Sequence, residues 1–192
     1  MDATMNIMIV GVGGQGTLLA SRILGQTAVS AGYDVKVSEV HGMSQRGGSV
    51  VTYVRYGEQV YSPIVEKASA DVILAFEELE AYRWIEYLKP EGTLIVNTQQ
   101  KDPMPVITGA MEYPEAILDT LKEKGIKLVT VNALEKAMEA GTAKATNVVL
   151  MGVFAAHCPM KREQFEEALV ATVPPKFLEV NQKAFALGYD LK

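Results

Sequence analysis

The sequence predicts an α/β fold of the Rossmann-like kind, with a mostly parallel sheet flanked by helices and a helical C-terminal third. Short apolar runs bounded by turn residues recur along the first two-thirds of the chain, and segments with helical periodicity lie between them. The first of these runs leads directly into a glycine-rich turn and then into an amphipathic helix. This order is how α/β proteins build a site for an anion or a nucleotide.

Six strands and three helices follow from this pattern. The strands are predicted over residues 6–10, 35–40, 49–56, 72–76, 93–97 and 127–131, and the helices over 17–30, 77–88 and 114–124. Gly32 and Gly125 stand where glycine commonly ends a helix, and residues 89–92 are expected to form the turn before the fifth strand. Residues 55–61 have the pattern of a hairpin, which predicts an antiparallel strand at one edge of the sheet.

The strand pattern ends at residue 133, and helices are predicted over 133–140, 146–156 and 162–173, with another after Pro174-Pro175. No repeat, low-complexity tract or long linker separates these helices from the sheet. We therefore expect a single domain over residues 1–192, with a sheet core over about 5–132 and C-terminal helices over about 133–192.

Composition narrows the classes of function. The chain has 192 residues, of which 48% are hydrophobic and 21% charged, and its net charge is −5, as expected for a mildly acidic globular protein. Because 23 acids outnumber 18 dispersed Lys and Arg, we expect no nucleic-acid partner. No stretch approaches the roughly 20 apolar residues of a membrane span, and the N-terminus does not resemble a leader. These features predict a cytoplasmic protein with no membrane contact.

Cysteine and histidine are scarce. A single cysteine, Cys158, excludes an internal disulfide, and with two histidines it leaves too few ligands for a zinc site or an iron–sulfur cluster. We expect no metal site in this chain, so that any redox metal belongs to a partner. His157 and Cys158, at the end of an apolar helix, are interpreted as packing or capping residues.

The turn after the first strand, GVGGQG, is the first candidate binding site. Gly11 lets the chain turn sharply off the strand, Gly13 lets backbone approach a phosphate, and Gly16 lets the helix pack closely against the strand. The following helix directs its free N–H groups and positive dipole end at the same place, where Thr17 can donate a hydroxyl hydrogen bond. The predicted binding residues are Gly11, Gly13, Gly14, Gln15, Gly16 and Thr17. Alternatively, these glycines only let another backbone come close.

A nicotinamide cofactor is one hypothesis for this turn. A dinucleotide fold requires an acidic residue at the end of the second strand, and Glu39 lies near that position. The chain then runs through His41 into a second glycine loop. A crossover to a further parallel strand needs about a dozen residues, and this loop has fewer. A free-standing NAD(P)- or nucleotide-binding protein therefore remains the alternative function.

The second glycine loop changes the interpretation. It follows the second strand and comprises His41, Gly42, Met43, Ser44, Gln45, Arg46, Gly47 and Gly48. Together with GVGGQG, the turn at Ser62-Pro63-Ile64 and the Ala70-Asp71-Val72 strand, this loop resembles the gamma-type subunits of 2-oxoacid:ferredoxin oxidoreductases, most closely those of the indolepyruvate-type enzymes. The resemblance covers most of the chain.

The resemblance implies a division of labour between subunits. Enzymes of this family oxidatively decarboxylate a 2-oxoacid to an acyl-coenzyme A and pass the electrons to ferredoxin. Their thiamine diphosphate, Mg and iron–sulfur clusters are expected in a large partner subunit, because this chain has neither a Gly-Asp-Gly thiamine motif nor a CxxCxxC run. The chain would then be an accessory subunit that is inactive alone, binds no cofactor firmly, and acts with ferredoxin only as part of the complex.

Several assignments remain open at this stage. Coenzyme A is the candidate phosphate-bearing ligand of the first turn, and the isolated chain is a candidate homodimer. For the second loop, the alternatives are an exposed turn, a phosphate clamp and a subunit contact, and Arg46 between glycines favours a contact or shared site. No catalytic residue is assigned: His41 is interpreted as a hydrogen-bonded structural residue, and Glu77, Glu78 and Glu80 as a solvated helix face.

Overall fold

The computed structural model describes residues 4–41 and 48–191 and contains a six-stranded sheet with helices on both faces. The strands are β1 (Met5–Val12), β2 (Asp34–His41), β3 (Ser49–Gly57), β4 (Ala70–Ala75), β5 (Leu88–Asn97) and β6 (Lys127–Val131). The helices are α1 (Thr17–Ser30), α2 (Glu78–Trp84), α3 (Met104–Ile107), α4 (Ile117–Glu123), α5 (Ala133–Ala140), α6 (Thr146–Ala156), α7 (Arg162–Thr172) and α8 (Pro175–Tyr189). The predicted α/β class and the helical C-terminal third are confirmed.

The sheet has the order β2-β3-β1-β4-β5-β6 and is mixed. β1, β4, β5 and β6 pair in parallel, whereas β3 runs antiparallel to both β1 and β2. The predicted hairpin over residues 55–61 is wrong, because β3 ends at Gly57 and no strand follows it before Ala70. The hairpin instead joins β2 to β3, with His41 opposite Val50, so the antiparallel strand lies inside the sheet.

Two segments differ from the predicted boundaries for local reasons. β5 begins at Leu88 and includes residues 89–92, the segment predicted as a turn. Its pairing with β4 is irregular between Ala70 and Val72, opposite residues 89–92, and Pro90 in this stretch cannot donate a ladder hydrogen bond. The predicted helix over 77–88 is shorter: α2 ends at Trp84, and a 3₁₀ turn, Ile85–Tyr87, leads into β5.

Alternating residues of the central strands supply the two cores. Ile7 and Ile9 of β1 face α1 and the C-terminal helices, whereas Met8 and Val10 face α2 and α4. The first core is the larger and contains Phe154, Phe165 and Phe185. At the carboxyl ends of the parallel strands, the chain leaves β1 toward one face and β4 toward the other, which is where open α/β sheets form a crevice.

Candidate functional site

The glycine turn lies at the carboxyl end of β1, beside the end of β4. The Phe76 N–H donates to the Val10 carbonyl at 2.8 Å, which fixes the two strand ends side by side. Gly14 and Gly16 have φ angles of 91° and 84°, in the left-handed region that favours glycine. The sequence therefore predicts the turn correctly, and two of its glycines are required by backbone conformation.

Gln15 occupies the space between these strand ends. Its Oε1 accepts from the Val12 N–H at 2.8 Å, and its Nε2 donates to the Phe76 carbonyl at 3.1 Å. A Cβ atom at Gly11 would lie 2.9 Å from Gln15 Oε1 and 3.0 Å from the Phe76 side chain, so glycine at position 11 makes room for this amide. The Gln15 side chain thus connects β1 to β4.

Two further amides extend this connection. Asn97 at the end of β5 donates to the same Phe76 carbonyl at 3.1 Å, and its Oδ1 accepts from the Ala133 N–H at the start of α5. Gln99 Oε1 accepts from both Gln15 and Asn97, at 3.5 and 3.4 Å. The three amides link the ends of β1, β4 and β5. Asn97 and Gln99 are not among the predicted site residues, although an amide at the end of a parallel strand is an available signal.

The two glycine segments meet through their backbones. The Gly13 N–H donates to the Gly48 carbonyl at 3.0 Å, and the next residue, Ser49, donates its hydroxyl to Glu80. The Gly13 N–H is therefore engaged within the protein. Gly42, Met43, Ser44, Gln45, Arg46 and Gly47 lie outside the described residues, so their assignment to a subunit contact or shared site remains a prediction.

The first turn of α1 contacts the C-terminal helices. Thr17 is buried, and Asn147 of α6 donates its amide to the Gly16 carbonyl at 3.2 Å. A Cβ atom at Gly16 would lie 2.5 Å from Asn147 Nδ2, so this glycine permits close packing against α6, whereas the sequence predicts close packing of the helix against the strand. Asn147 Oδ1 is buried without a hydrogen-bond partner among the described residues. A cavity of about 510 Å³ beside this turn is lined by Leu19, Lys144, Ala145, Phe177 and neighbouring residues.

Three glutamates at the start of α2 are buried, which corrects the prediction of a solvated helix face. Glu77 accepts from the Glu80 N–H at 2.9 Å and caps α2, and Glu78 accepts from the Gln100 amide at 3.0 Å. Glu80 accepts from Trp84 Nε1 and Arg83 Nη1, each at 3.3 Å, as well as from Ser49. Periodicity alone cannot reveal this burial, because Ser49 and Gln100, which contact Glu80 and Glu78, come from another strand and a loop.

Burial is the main cause of the pKa shifts of Glu80 and Tyr113. It raises the pKa of Glu80 above its usual value, against the opposing effects of Ser49, Arg83 and Trp84. It also raises the pKa of Tyr113, whose hydroxyl donates to Glu77, and that carboxylate raises the pKa further. Tyr113 therefore keeps its proton and remains a donor at neutral pH.

The histidines occupy structural positions. His41 Nε2 lies 2.6 Å from Glu39 Oε1, and Thr52 donates to the other Glu39 oxygen at 3.2 Å. His157 is the C-cap of α6, and its Nδ1 lies 2.9 Å from the Val153 carbonyl oxygen. Cys158 Sγ lies 3.6 Å from the Tyr56 hydroxyl, and burial raises the pKa of the thiol. The contacts of His157 and Cys158 confirm their interpretation as capping and packing residues, whereas the assignment of His41 to a subunit contact or shared site remains a prediction.

The sheet order also bears on the nicotinamide hypothesis. β3 lies between β1 and β2, so Glu39 is two strand spacings from β1, roughly 10 Å instead of roughly 5 Å. Both Glu39 oxygens are engaged by His41 and Thr52. This geometry does not place a ribose-binding carboxylate beside the glycine turn.

Residues 6–191 match the sequence profile of the pyruvate ferredoxin/flavodoxin oxidoreductase family. The chain belongs to this family. Across 190 residues it is 47% identical to the indolepyruvate oxidoreductase subunit IorB of Thermococcus kodakarensis, an alignment that covers 95% of this chain and 93% of the relative. The predicted resemblance is confirmed, and the chain is a subunit of an oxidoreductase of the 2-oxoacid:ferredoxin class.

Solved structures show the same fold. The gamma subunit of a keto/oxoacid ferredoxin oxidoreductase from Geobacter sulfurreducens superposes with a TM-score of 0.73 at 24% identity, covering 97% of both chains. The 2-oxoglutarate:ferredoxin oxidoreductase from Magnetococcus marinus superposes with a TM-score of 0.76 at 19% identity. That alignment covers all of this chain but 31% of the other, so the fold there forms one part of a longer polypeptide.

Two other kinds of site are absent from the described part of the chain. Within residues 4–41 and 48–191, no three His, Cys, Asp or Glu side chains are grouped so that they could hold a metal ion. Among the same residues, no helix is both long and apolar enough to cross a membrane. The candidate site is the carboxyl edge of the sheet, where the two glycine segments and the three amides meet.

Proposed function

We propose that this chain is the accessory subunit of an indolepyruvate-type 2-oxoacid:ferredoxin oxidoreductase, and that the carboxyl edge of its sheet forms one wall of a site shared with a large partner subunit. The observation that carries the proposal is the bond between Gly13 and Gly48, which holds the two glycine segments together at that edge. Indolepyruvate as the substrate rests on the name of the relative that is 47% identical.

The large subunit is the expected holder of thiamine diphosphate, Mg and the iron–sulfur clusters. With one cysteine and two histidines, this chain cannot supply the four cysteine thiolates of an ordinary cluster. This chain would contribute one wall of the shared site. The amides of Gln15, Asn97 and Gln99 fix the ends of three strands, so that the wall presented to the partner is rigid. Ferredoxin would act on the assembled complex, which we expect in the cytoplasm.

Coenzyme A is the phosphate-bearing ligand that we propose for the first turn of α1. Gly14 is exposed there, and the first N–H groups of a helix have no partner within it. The neighbouring cavity offers apolar walls together with the positive charge of Lys144, a combination that suits a ligand with both phosphates and an apolar arm. The Gly13 N–H is not available, because Gly48 accepts it. Isothermal calorimetry with coenzyme A tests this part of the proposal.

Coexpression with the large subunit tests the function as a whole. The purified complex should reduce ferredoxin in the presence of coenzyme A with a higher kcat/KM for indolepyruvate than for pyruvate or 2-ketoisovalerate. Either subunit alone should show less than about 1% of that rate, because the chemistry and the enclosing wall lie on different chains. Two results would contradict the proposal. One is that this chain purifies alone with bound NAD(P), and the other is that the large subunit is fully active in the absence of this chain.

A further inference from the structure

An exposed apolar segment follows β5. We call residues 103–111 the apolar projection; they contain no charged residue and lie between Asp102 and Glu112. Met104, Ile107 and Met111 are 55%, 65% and 64% exposed, and no residue between 101 and 116 is buried. Single exposed apolar side chains are ordinary, but three within eight residues and without a core of their own indicate a contact surface.

The apolar projection is nevertheless ordered by polar contacts. The Ile107 and Met111 N–H groups donate to the carbonyls of Pro103 and Pro105, each at 3.0 Å. The residues that flank it on both sides are fixed to one carboxylate oxygen: Glu77 Oε1 accepts from the Lys101 N–H at 3.1 Å and from the Tyr113 hydroxyl. A loop closed in this way is held in one shape before any partner arrives, which lowers the entropy cost of binding.

The segment that leads from β5 to the apolar projection lies at the carboxyl edge of the sheet. Gln99 contacts Gln15 of the glycine turn, and Gln100 donates to Glu78 at 3.0 Å. The exposed apolar surface therefore adjoins the edge that we propose as the wall of the shared site. A body of protein seated on the projection would also lie next to the glycine turn.

We infer that the apolar projection is the docking contact for the large partner subunit, an inference that rests on the proposed function. We take the large subunit as the occupant because a relative that is 47% identical is named as a subunit of its enzyme, and because this fold is 31% of a longer chain in the 2-oxoglutarate oxidoreductase. Methionine suits such a contact because its flexible, polarisable side chain adapts to a facing surface.

Charge placed on the projection tests the inference. Ile107→Asp and Met111→Asp should each weaken binding of the large subunit by about tenfold or more, because the contact would bury an unpaired carboxylate. Ile107→Ser should weaken binding less. The matched control is Val29→Asp, which changes an exposed apolar residue near the C-terminal end of α1, away from the glycine turn. It should leave the affinity for the large subunit within about twofold of wild type. Binding is measured by biolayer interferometry with immobilised large subunit, and circular dichroism verifies that each variant is folded.

The outcomes separate this inference from the function on which it rests. If wild type binds the large subunit and Ile107→Asp binds equally well, the docking inference is wrong and the proposed function stands. If wild type does not bind the large subunit at all, the proposed function fails as well. If Ile107→Asp dissociates a homodimer of the free chain without changing its affinity for the large subunit, the projection binds a second copy, which also overturns the inference.

Discussion

Gln15 determines how much of the glycine turn is open to a ligand. Its side chain lies between the ends of β1 and β4, where an α/β sheet of the dinucleotide-binding kind holds its ligand. The glycines of the GVGGQG turn, taken without Gln15, favour a nucleotide as the ligand. With the Gln15 amide in the crevice, the exposed part of the site is limited to Gly14 and the first turn of α1.

Glu80 gives a prediction of pH dependence at the same scale. Burial raises its pKa in the folded protein above the usual value of 4.5. Such a group stabilises the fold fully below pH 4.5, and this contribution is lost as the pH rises through the folded pKa. The unfolding free energy of Glu80→Gln should therefore increase relative to that of wild type as the pH rises from 4.5 toward 8. The slope of this increase should be at most about 1.4 kcal/mol per pH unit.

Urea denaturation of both proteins across this pH range measures the effect. Glutamine keeps an oxygen for the Ser49 hydroxyl and Trp84 Nε1, and the partly exposed Arg83 can turn toward solvent. The matched control, Glu179→Gln, removes an exposed carboxylate from α8 and should not reproduce the gain. A difference between wild type and Glu80→Gln that stays constant with pH would exclude this carboxyl as the source.

Among the elements, α6 and α8 come into direct backbone contact. A Cβ atom at Gly188 would lie 2.0 Å from the Val149 carbonyl oxygen, and one at Gly152 would lie 2.2 Å from the Phe185 carbonyl oxygen. Because these neighbours are backbone atoms, no side-chain movement can relieve the overlap. The two glycines set the distance between the helices that enclose the larger core.

Gly188→Ala should consequently destabilise the protein by about 3 kcal/mol or more, since the helices must separate or bend. Gly25 provides the contrast within one chain, because it lies inside α1 and an added Cβ would meet only Val37 Cγ2 at 3.8 Å. Gly25→Ala should stabilise by about 0.5–1 kcal/mol through helix propensity. Thermal denaturation of both variants gives the comparison, and a neutral Gly188→Ala would show that the helices are not in fixed contact.

The strands show which parts of the fold local patterns can predict. Apolar runs locate all six strands, although β2 has no buried residue, and the C-terminal helices follow from periodicity and Pro174-Pro175. Strand order is a non-local property, however, and the insertion of β3 between β1 and β2 leaves no local signal. The hairpin predicted over residues 55–61 lies instead between β2 and β3, where the short connection after His41 already excludes a parallel crossover.

At the scale of the whole molecule, the two faces of the sheet differ. Four helices and α1 cover one face with a continuous core, whereas α2 and α4 cover the other and leave the apolar projection exposed. The sequence predicts the glycine turn of the candidate site but not the buried glutamates or Asn147, because their partners come from distant segments. Under the proposed function, the amides at the carboxyl edge and the neighbouring apolar projection belong to the surface that the large subunit completes.

This organisation predicts how coenzyme A should bind. If the first turn of α1 is only one wall of the site, coenzyme A should bind the assembled complex more tightly than the isolated chain. Leu18→Glu places a carboxylate on that turn, where it stabilises the helix but repels a phosphate, and should weaken binding to the complex by about tenfold, or about 1.4 kcal/mol. Leu18→Gln is the uncharged control. Calorimetry on the complex that gives equal affinities for wild type and Leu18→Glu would place the phosphates of coenzyme A elsewhere.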